Sequence, residues 1–243
     1  MKTICFSFAL LVLTSSGFSQ TGRPQPHKEV FVKDSVTHNI TQMEVKDEYK
    51  YEGTDSKEAH DSYNKAVNYS EAGDVKNAVK FYQKAIEADN KYVKAYDNLG
   101  LCYRKLGDYD KAIENYKKSI ELFPIGSMAH QNLAVVYGLQ KNYRAAEVEY
   151  RTVSKMDTTN PEGYFGLANV LMMQERYEEA LVFAQEALKI YEAEKSPLLN
   201  EGQYMAGVIC YLKGDKDLAK KYLKQAKKNG ANIPPALAKE LKL

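Results

Sequence analysis

Residues 95–124 read AYDNLGLCYRKLGDYDKAIENYKKSIELFP, and this stretch decides the fold. Leu99, Gly100 and Tyr103 recur at helical spacing, as do Ala112, Tyr116 and Ser119, with Gly107-Asp108 between the two sets. That periodicity predicts two amphipathic helices. Glycine can take the left-handed conformation that ends the first, and aspartate can cap the second. Outward from this stretch the same residues return in steps of 34. Ala112 is matched by Ala78, Ala146 and Ala180, Gly100 by Ala66, Ala134 and Ala168, Tyr103 by Tyr69 and Tyr137, and Tyr116 by Tyr82 and Tyr150. A two-helix unit repeated at fixed spacing cannot bury its apolar face alone, so the units must stack. The chain reads as a solenoid.

The pattern resembles the tetratricopeptide repeat. Tyr96, Leu99, Gly100, Tyr103, Ala112, Tyr116 and Pro124 match that family's signature positions, with Ser119 in place of its last alanine. The resemblance implies an all-α fold, a right-handed α-solenoid of about five helix-turn-helix TPR repeats. They fall at 59–92, 93–126, 127–160, 161–199 and 200–233. The fifth starts five residues late, since Ala219 lies 39 after Ala180, and the extra residues fall in EAEKSPLLN, where Pro197 would end the preceding helix. The outer repeats fit worst, with Ser62 and Lys65 in the first and Gln203, Ala206 and Cys210 in the fifth. Terminal repeats are expected to be atypical because one face of each meets water. Small residues such as Gly100, Ala112 and Ala134 act as holes for large ones such as Leu99, Tyr103 and Tyr116, and a larger residue at a hole should cost about 1–3 kcal/mol. Gly73-Asp74 and Gly214-Asp215 repeat the turn of Gly107-Asp108; Lys141-Asn142 takes the same place in the third repeat, and Glu175-Arg176 in the fourth is the least well explained.

Residues 1–19 read as a secretory signal peptide: Lys2, an apolar stretch from Ile4 to Leu13, then small residues to Ser19. Cleavage there would leave Gln20 as the N-terminus of an exported, periplasmic or extracellular protein. Cys5 precedes most of the apolar stretch and does not resemble a lipid-acceptor cysteine. Residues 20–58 read as an extended or disordered arm that opens like a linker at Arg23, Pro24, Gln25 and Pro26. Alternation around Val30, Val32 and Val36 or Met43 and Val45 hints at strands, without enough length for a sheet. Asn39-Ile40-Thr41 and Asn68-Tyr69-Ser70 fit the glycosylation sequon, the second inside a packed helix. Residues 234–243 begin with Pro234-Pro235 and carry Leu237 and Leu241 at i and i+4, a short C-terminal cap helix.

No catalytic constellation emerges. His27, His38, His60 and His130 are scattered, with His130 at a large-residue repeat position that suits core packing, and no phosphate-binding loop or metalloprotease motif is present. No catalytic residue, cofactor or metal site is expected. Cys102 and Cys210 lie three repeat layers apart, beyond the roughly 4.4–6.8 Å that a disulfide bridges between Cα atoms, and read as buried free thiols.

Function should then lie on the surface the first helices make. In the resembled family, the second, fifth, ninth, twelfth and thirteenth positions of each first helix face a concave groove. Carried over, these positions and the neighbouring asparagines give Tyr63 and Val67 in the first repeat and Lys94, Asp97, Asn98, Leu101 and Arg104 in the second. The third supplies Met128, Asn132, Val135 and Leu139, and the fourth Phe165, Asn169, Met172 and Met173. Tyr204, Val208 and Tyr211 complete the set in the fifth. Such a groove suits apolar or amphipathic segments, with methionine able to repack around different partners. The family's clamp for a terminal carboxylate is disfavoured, because Tyr63, Val67 and Met128 stand where it needs basic residues.

The net charge of +2 argues against dedicated nucleic-acid binding. It is unevenly placed: Lys220, Lys224, Lys227 and Lys228 share one face of the last repeat helix. That face is either simply solvated or attracted to an anionic envelope surface. Two functions fit: a non-enzymatic adaptor or assembly factor that binds protein segments in its groove, or a structural spacer or cell-envelope subunit that associates through its arm or basic end.

Overall fold

The computed structural model describes residues 53–243 and the backbone of two strands at 30–33 and 40–43. The signal segment 1–19, Cys5, His27, His38, Asn39 and most of the arm 20–58 lie outside the described residues. The chain divides into two units, Met1–Lys46 and Asp47–Leu243. In the first, β1 (Val30–Lys33) pairs antiparallel with β2 (Ile40–Met43), Val30 opposite Met43 and Lys33 opposite Ile40. The sequence reading expected strands too short for a sheet, and the structure corrects it. Each four-residue strand needs only the other to close an antiparallel ladder, a register that alternation within one strand does not reveal.

The second unit contains α1 (Lys57–Glu71), α2 (Val75–Ala88), α3 (Val93–Leu106), α4 (Tyr109–Leu122), α5 (Ser127–Leu139) and α6 (Tyr143–Met156). These are followed by α7 (Pro161–Met173), α8 (Tyr177–Ala193), α9 (Leu199–Lys213), α10 (Lys216–Lys228) and α11 (Pro235–Leu241). Each of the first nine packs on its successor, giving five helix-turn-helix pairs in α1 to α10, and α3, α5, α7 and α9 also touch in succession. The first helices therefore form one layer of an all-α repeat solenoid.

The turns explain why the helices stop and restart together. Gly73, Gly107 and Gly214 adopt φ of 78°, 78° and 95°, and the next residues, Asp74, Asp108 and Asp215, accept hydrogen bonds from the backbone N–H of Asn77, Lys111 and Leu218. Lys141 takes φ 59° at the same place, and Asn142 caps through Ala145. The fourth repeat keeps the backbone with neither device: Glu175 is left-handed at φ 60°, and Arg176 makes no side-chain cap. Arg176 instead reaches Glu147 at 2.7 Å and Glu179 at 2.6 Å, so ion pairs hold the turn where a cap does elsewhere. A side chain at left-handed φ is strained. Glu175→Gly is expected to stabilise the protein by about 1 kcal/mol and raise its thermal midpoint by roughly 2–4 °C, readable by calorimetry; a lower midpoint would contradict it.

Packing follows the 34-residue ladder. Ala78, Ala112, Ala146, Ala180 and Ala219 are fully buried. A Cβ on Gly100 would lie 2.8 Å from Tyr116 Cε1, and one on Gly207 2.6 Å from Leu223 Cγ, so both positions admit only glycine without movement. The late start of the fifth repeat is absorbed by α8, which runs 17 residues against 14 in α2, α4 and α6, and by a turn through Lys195 at φ 51° ahead of Pro197. His130 is buried, as its repeat position suggests, with Nδ1 2.6 Å from Glu149 Oε2. Cys102 lies in the core of the first repeats and Cys210 in that of the last, both buried and free, and burial raises both thiol pKa values, Cys210 to about 11. The cap helix seats Leu237 and Leu241, with Ile233 just ahead of it, on Cys210, Ala219, Leu223 and Ala226. It is pinned by Glu240, which accepts from Tyr211 Oη and pairs with Lys216, both at 2.8 Å.

Candidate functional site

The layer formed by α3, α5, α7 and α9 carries most of the residues expected to meet a ligand. Five of the expected residues are instead enclosed: Tyr63, Asp97, Asn98, Phe165 and Val208 are each less than a tenth exposed. Tyr63 accepts a 2.8 Å hydrogen bond from Asn98 Nδ2 and packs its ring against Tyr82 and Tyr92 at 5.5 and 5.0 Å. Phe165 lies edge-on to Tyr191 at 6.3 Å. A bulky side chain at the fifth position turns sideways into the space between helices, because more apolar area leaves water there than on an open surface.

The other thirteen keep surface to offer. Val67, Lys94, Leu101, Arg104, Asn132, Val135, Leu139, Asn169, Met172, Met173, Tyr204 and Tyr211 are half-buried, and Met128 is 41% exposed. The apolar members concentrate in the third to fifth repeats, on α5, α7 and α9. Lys94 Nζ stands 5.9 Å from the centre of the Tyr63 ring, and Tyr211 is tied to the cap helix through Glu240.

Two acidic residues were missed by the sequence reading. Glu162 and Glu201 occupy the second position of the fourth and fifth repeats, where Lys94 and Met128 stand in the second and third. Glu162 is 7% exposed, and its Oε1 accepts from Tyr191 Oη at 2.9 Å. Burial pushes the Glu162 carboxyl pKa up, the nearby Glu201 charge adds to the effect, and burial raises Glu201 as well. Glu162 lies on the 34-residue step that runs from Lys94 through Met128, so its position is legible in the repeat, but its burial is not.

Other surfaces are separate from this layer. Lys224, Lys227 and Lys228 are exposed on α10 and Lys220 is half-buried, with Lys227 and Lys228 in the last turn, where positive charge suits the helix dipole. A shallow depression of about 510 Å³ lies at the outer end of the first repeat, where Lys65 and Lys84 stand 6.0 and 5.4 Å from the Phe81 ring centre. Val148 and Val182, one repeat step apart, are 61% and 54% exposed on the second helices. Among the described residues no three His, Cys, Asp or Glu gather as a metal-binding group, and no helix is long and apolar enough to cross a membrane.

Stacked helix pairs with a continuous layer of first helices define a helical-repeat scaffold of the kind that binds other proteins. Family models described as tetratricopeptide repeat match residues 62–92, 93–124 and 162–229, more than half of the chain together. The chain belongs to the tetratricopeptide repeat family. Among solved structures it is similar to MamA, at 22% identity over 72% of this chain and 98% of that one, with a TM-score of 0.63. It is similar also to pilF of Pseudomonas aeruginosa, at 18% identity over 78% and 87%, with a TM-score of 0.66. YrrB, whose structure is described as a TPR protein with an unusual peptide-binding site, shares 22% identity over 76% and 91%, with a TM-score of 0.60. At these identities the likeness concerns the fold alone. No curated protein matches the chain.

Proposed function

We propose that this protein is an exported, non-enzymatic interaction module, an adaptor or assembly factor that holds apolar or amphipathic segments of other proteins along its first helices. The observation that carries this reading is the half-buried row of Leu139, Met172, Met173 and Tyr211, which runs across α5, α7 and α9. Methionines there can repack around different side chains. The peptide-binding site named for YrrB supports the same use of a similar fold. Export rests on the signal pattern of residues 1–19, and the mature chain would begin at Gln20.

The test is selection of displayed random peptides on the full mature chain, followed by affinity measurement on Met172→Ala/Met173→Ala. Loss of about tenfold or more with an unchanged thermal midpoint is expected, since each truncation removes roughly 1–2 kcal/mol of apolar contact. Equal affinity for the double variant would exclude this surface. A second reading, a spacer or envelope subunit, draws on the exposed Lys224, Lys227 and Lys228. Under it, deletion of residues 20–58 or reversal of these charges would abolish association while the methionine variant would not.

A further inference from the structure

The two ends of the solenoid are finished differently. At the last repeat α11 lays Leu237 and Leu241 on Leu223. The outer end of the first repeat keeps a depression of about 510 Å³, lined by Ser62 and Lys65 of α1 and by Phe81 and Lys84 of α2. The other repeats show what is missing there. Steps of 34, and 39 into the fifth repeat, carry Ser62 to Tyr96, His130, Tyr164 and Gln203, and carry Phe81 to Asn115, Glu149, Phe183 and Tyr222. In the third and fourth repeats a long side chain from the first helix covers its partner on the second: His130 Nδ1 lies 2.6 Å from Glu149 Oε2, and the Tyr164 ring stacks on Phe183 at 6.5 Å. Serine is too short to do this. Phe81 is left half-buried, with Tyr69 stacked on it at 5.3 Å and Lys65 and Lys84 at 6.0 and 5.4 Å from its centre. Lysines suffice to keep an end repeat in water, so the ring is surplus to that task.

We infer that this depression is the seat of the chain's own residues 47–52, DEYKYE, and that Tyr49 and Tyr51 give Phe81 the aromatic cover that Tyr164 gives Phe183. The chain enters α1 from the right place. Ser56 caps the helix, and two residues earlier Thr54 Oγ1 donates to Asp89 at the end of α2, so the preceding residues start at the edge of the depression that Lys57 forms. Six extended residues span up to about 20 Å, and α1 from Lys57 to Lys65 runs about 12 Å. Laid back along α1, the segment covers the whole depression. Alternate side chains of an extended chain share a face, which puts Asp47, Tyr49 and Tyr51 together. The charges match as well: the segment has three carboxylates and one lysine, and the depression has Lys57, Lys65 and Lys84 against Glu58 and Asp61. Lys65 stands where the inner repeats have Leu99, Leu133 and Leu167, a change that suits an acidic, aromatic occupant better than an apolar helix.

Alkylation of Ser62→Cys by iodoacetamide in the full mature chain tests this, because Cys102 and Cys210 are buried and the new thiol lies in the depression. It should react about tenfold or more slower than the same thiol in a chain that also carries Tyr49→Ser/Tyr51→Ser. Equal, fast reaction in both chains would mean a solvated depression and overturn the inference. Slow reaction in both that strengthens with protein concentration would place a second copy there, and slow reaction in both at every concentration would place another stretch of chain there; either overturns the assignment to residues 47–52. Stability gives a second reading. Tyr49→Ser/Tyr51→Ser should lower the thermal midpoint by roughly 2–4 °C, and Ser62→Tyr, which restores the residue found at Tyr96 and Tyr164, should abolish that loss by filling the place itself. An unchanged midpoint in the tyrosine variant, or an equal fall with and without Ser62→Tyr, would show that the two tyrosines do not act at Phe81.

Discussion

Phe165→Ala is expected to lower unfolding stability by about 3–5 kcal/mol. Phe165 is 3% exposed, and its ring meets Tyr191, itself 2% exposed and hydrogen-bonded to the buried Glu162. Truncation removes the ring's apolar contacts and leaves a void that α7 and α8, held by Ala168, Ala180 and Ala184 at close approach, can close only in part. Urea denaturation should show the transition midpoint well below that of the unaltered protein. Met172→Ala, at a half-buried position one to two turns further along α7, should unfold near the original midpoint. If Phe165→Ala unfolds with Met172→Ala, the ring is a ligand-facing side chain as its repeat position suggests. Otherwise any loss of partner binding in Phe165→Ala reports folding, and the methionines are the proper probes of the surface.

Gly166→Ala should cost roughly 1–3 kcal/mol or more, and Gly138→Ala should gain up to about 1 kcal/mol. A Cβ on Gly166 would stand 2.2–2.5 Å from Cε1, Cδ1 and Cζ of Tyr150, a ring wedged between α6 and α7. Either the ring turns out of its place or the helices part. Gly138, in the last turn of α5, has nothing within 4 Å of the same atom, so alanine there only restricts the unfolded chain and improves the helix. One substitution thus carries opposite signs at two helical glycines, measured as the difference in unfolding free energy between the two variants. Equal effects would mean that Tyr150 moves freely and that helix propensity alone governs both positions.

Much of the fold was legible because its cause is local and repeated. Ala78, Ala112, Ala146, Ala180 and Ala219 mark where second helices come closest, and every one of them is fully buried. The cap helix was legible for a related reason: Leu237 and Leu241 at i and i+4 have one face to bury and one exposed repeat end to bury it on. The turn at Glu175-Arg176 was not. Its left-handed residue is neither glycine nor asparagine, and the ion pairs that replace the cap come from Glu147, 29 residues away in sequence.

The candidate site was legible only in outline. A repeat position tells which side of a helix a residue occupies, and this placed Leu139, Met172, Met173 and Tyr211 on a half-buried surface. It does not tell which way a long side chain leans from that side. Tyr63 and Phe165 lean into neighbouring helices, where Tyr82, Tyr92 and Tyr191 offer ring contacts, and are lost to the surface. Arg104 has no such partner among the described residues, and Glu162 finds a hydroxyl two helices' worth of sequence away, at Tyr191.

The sequence by itself determined the repeat, its register, its one irregularity before Pro197 and the burial of the small-residue ladder, because those follow from periodicity and from the volume each position can hold. Only the tertiary structure decided which first-helix side chains remain available, which carboxylates are buried, and that the Tyr116 hydroxyl is enclosed without a hydrogen-bond partner. Those outcomes depend on contacts between helices, within a repeat for Phe165 on Tyr191 and across repeats for Asn98 on Tyr63, where the direction of a side chain is set by the space its neighbours leave and not by its own place in the pattern.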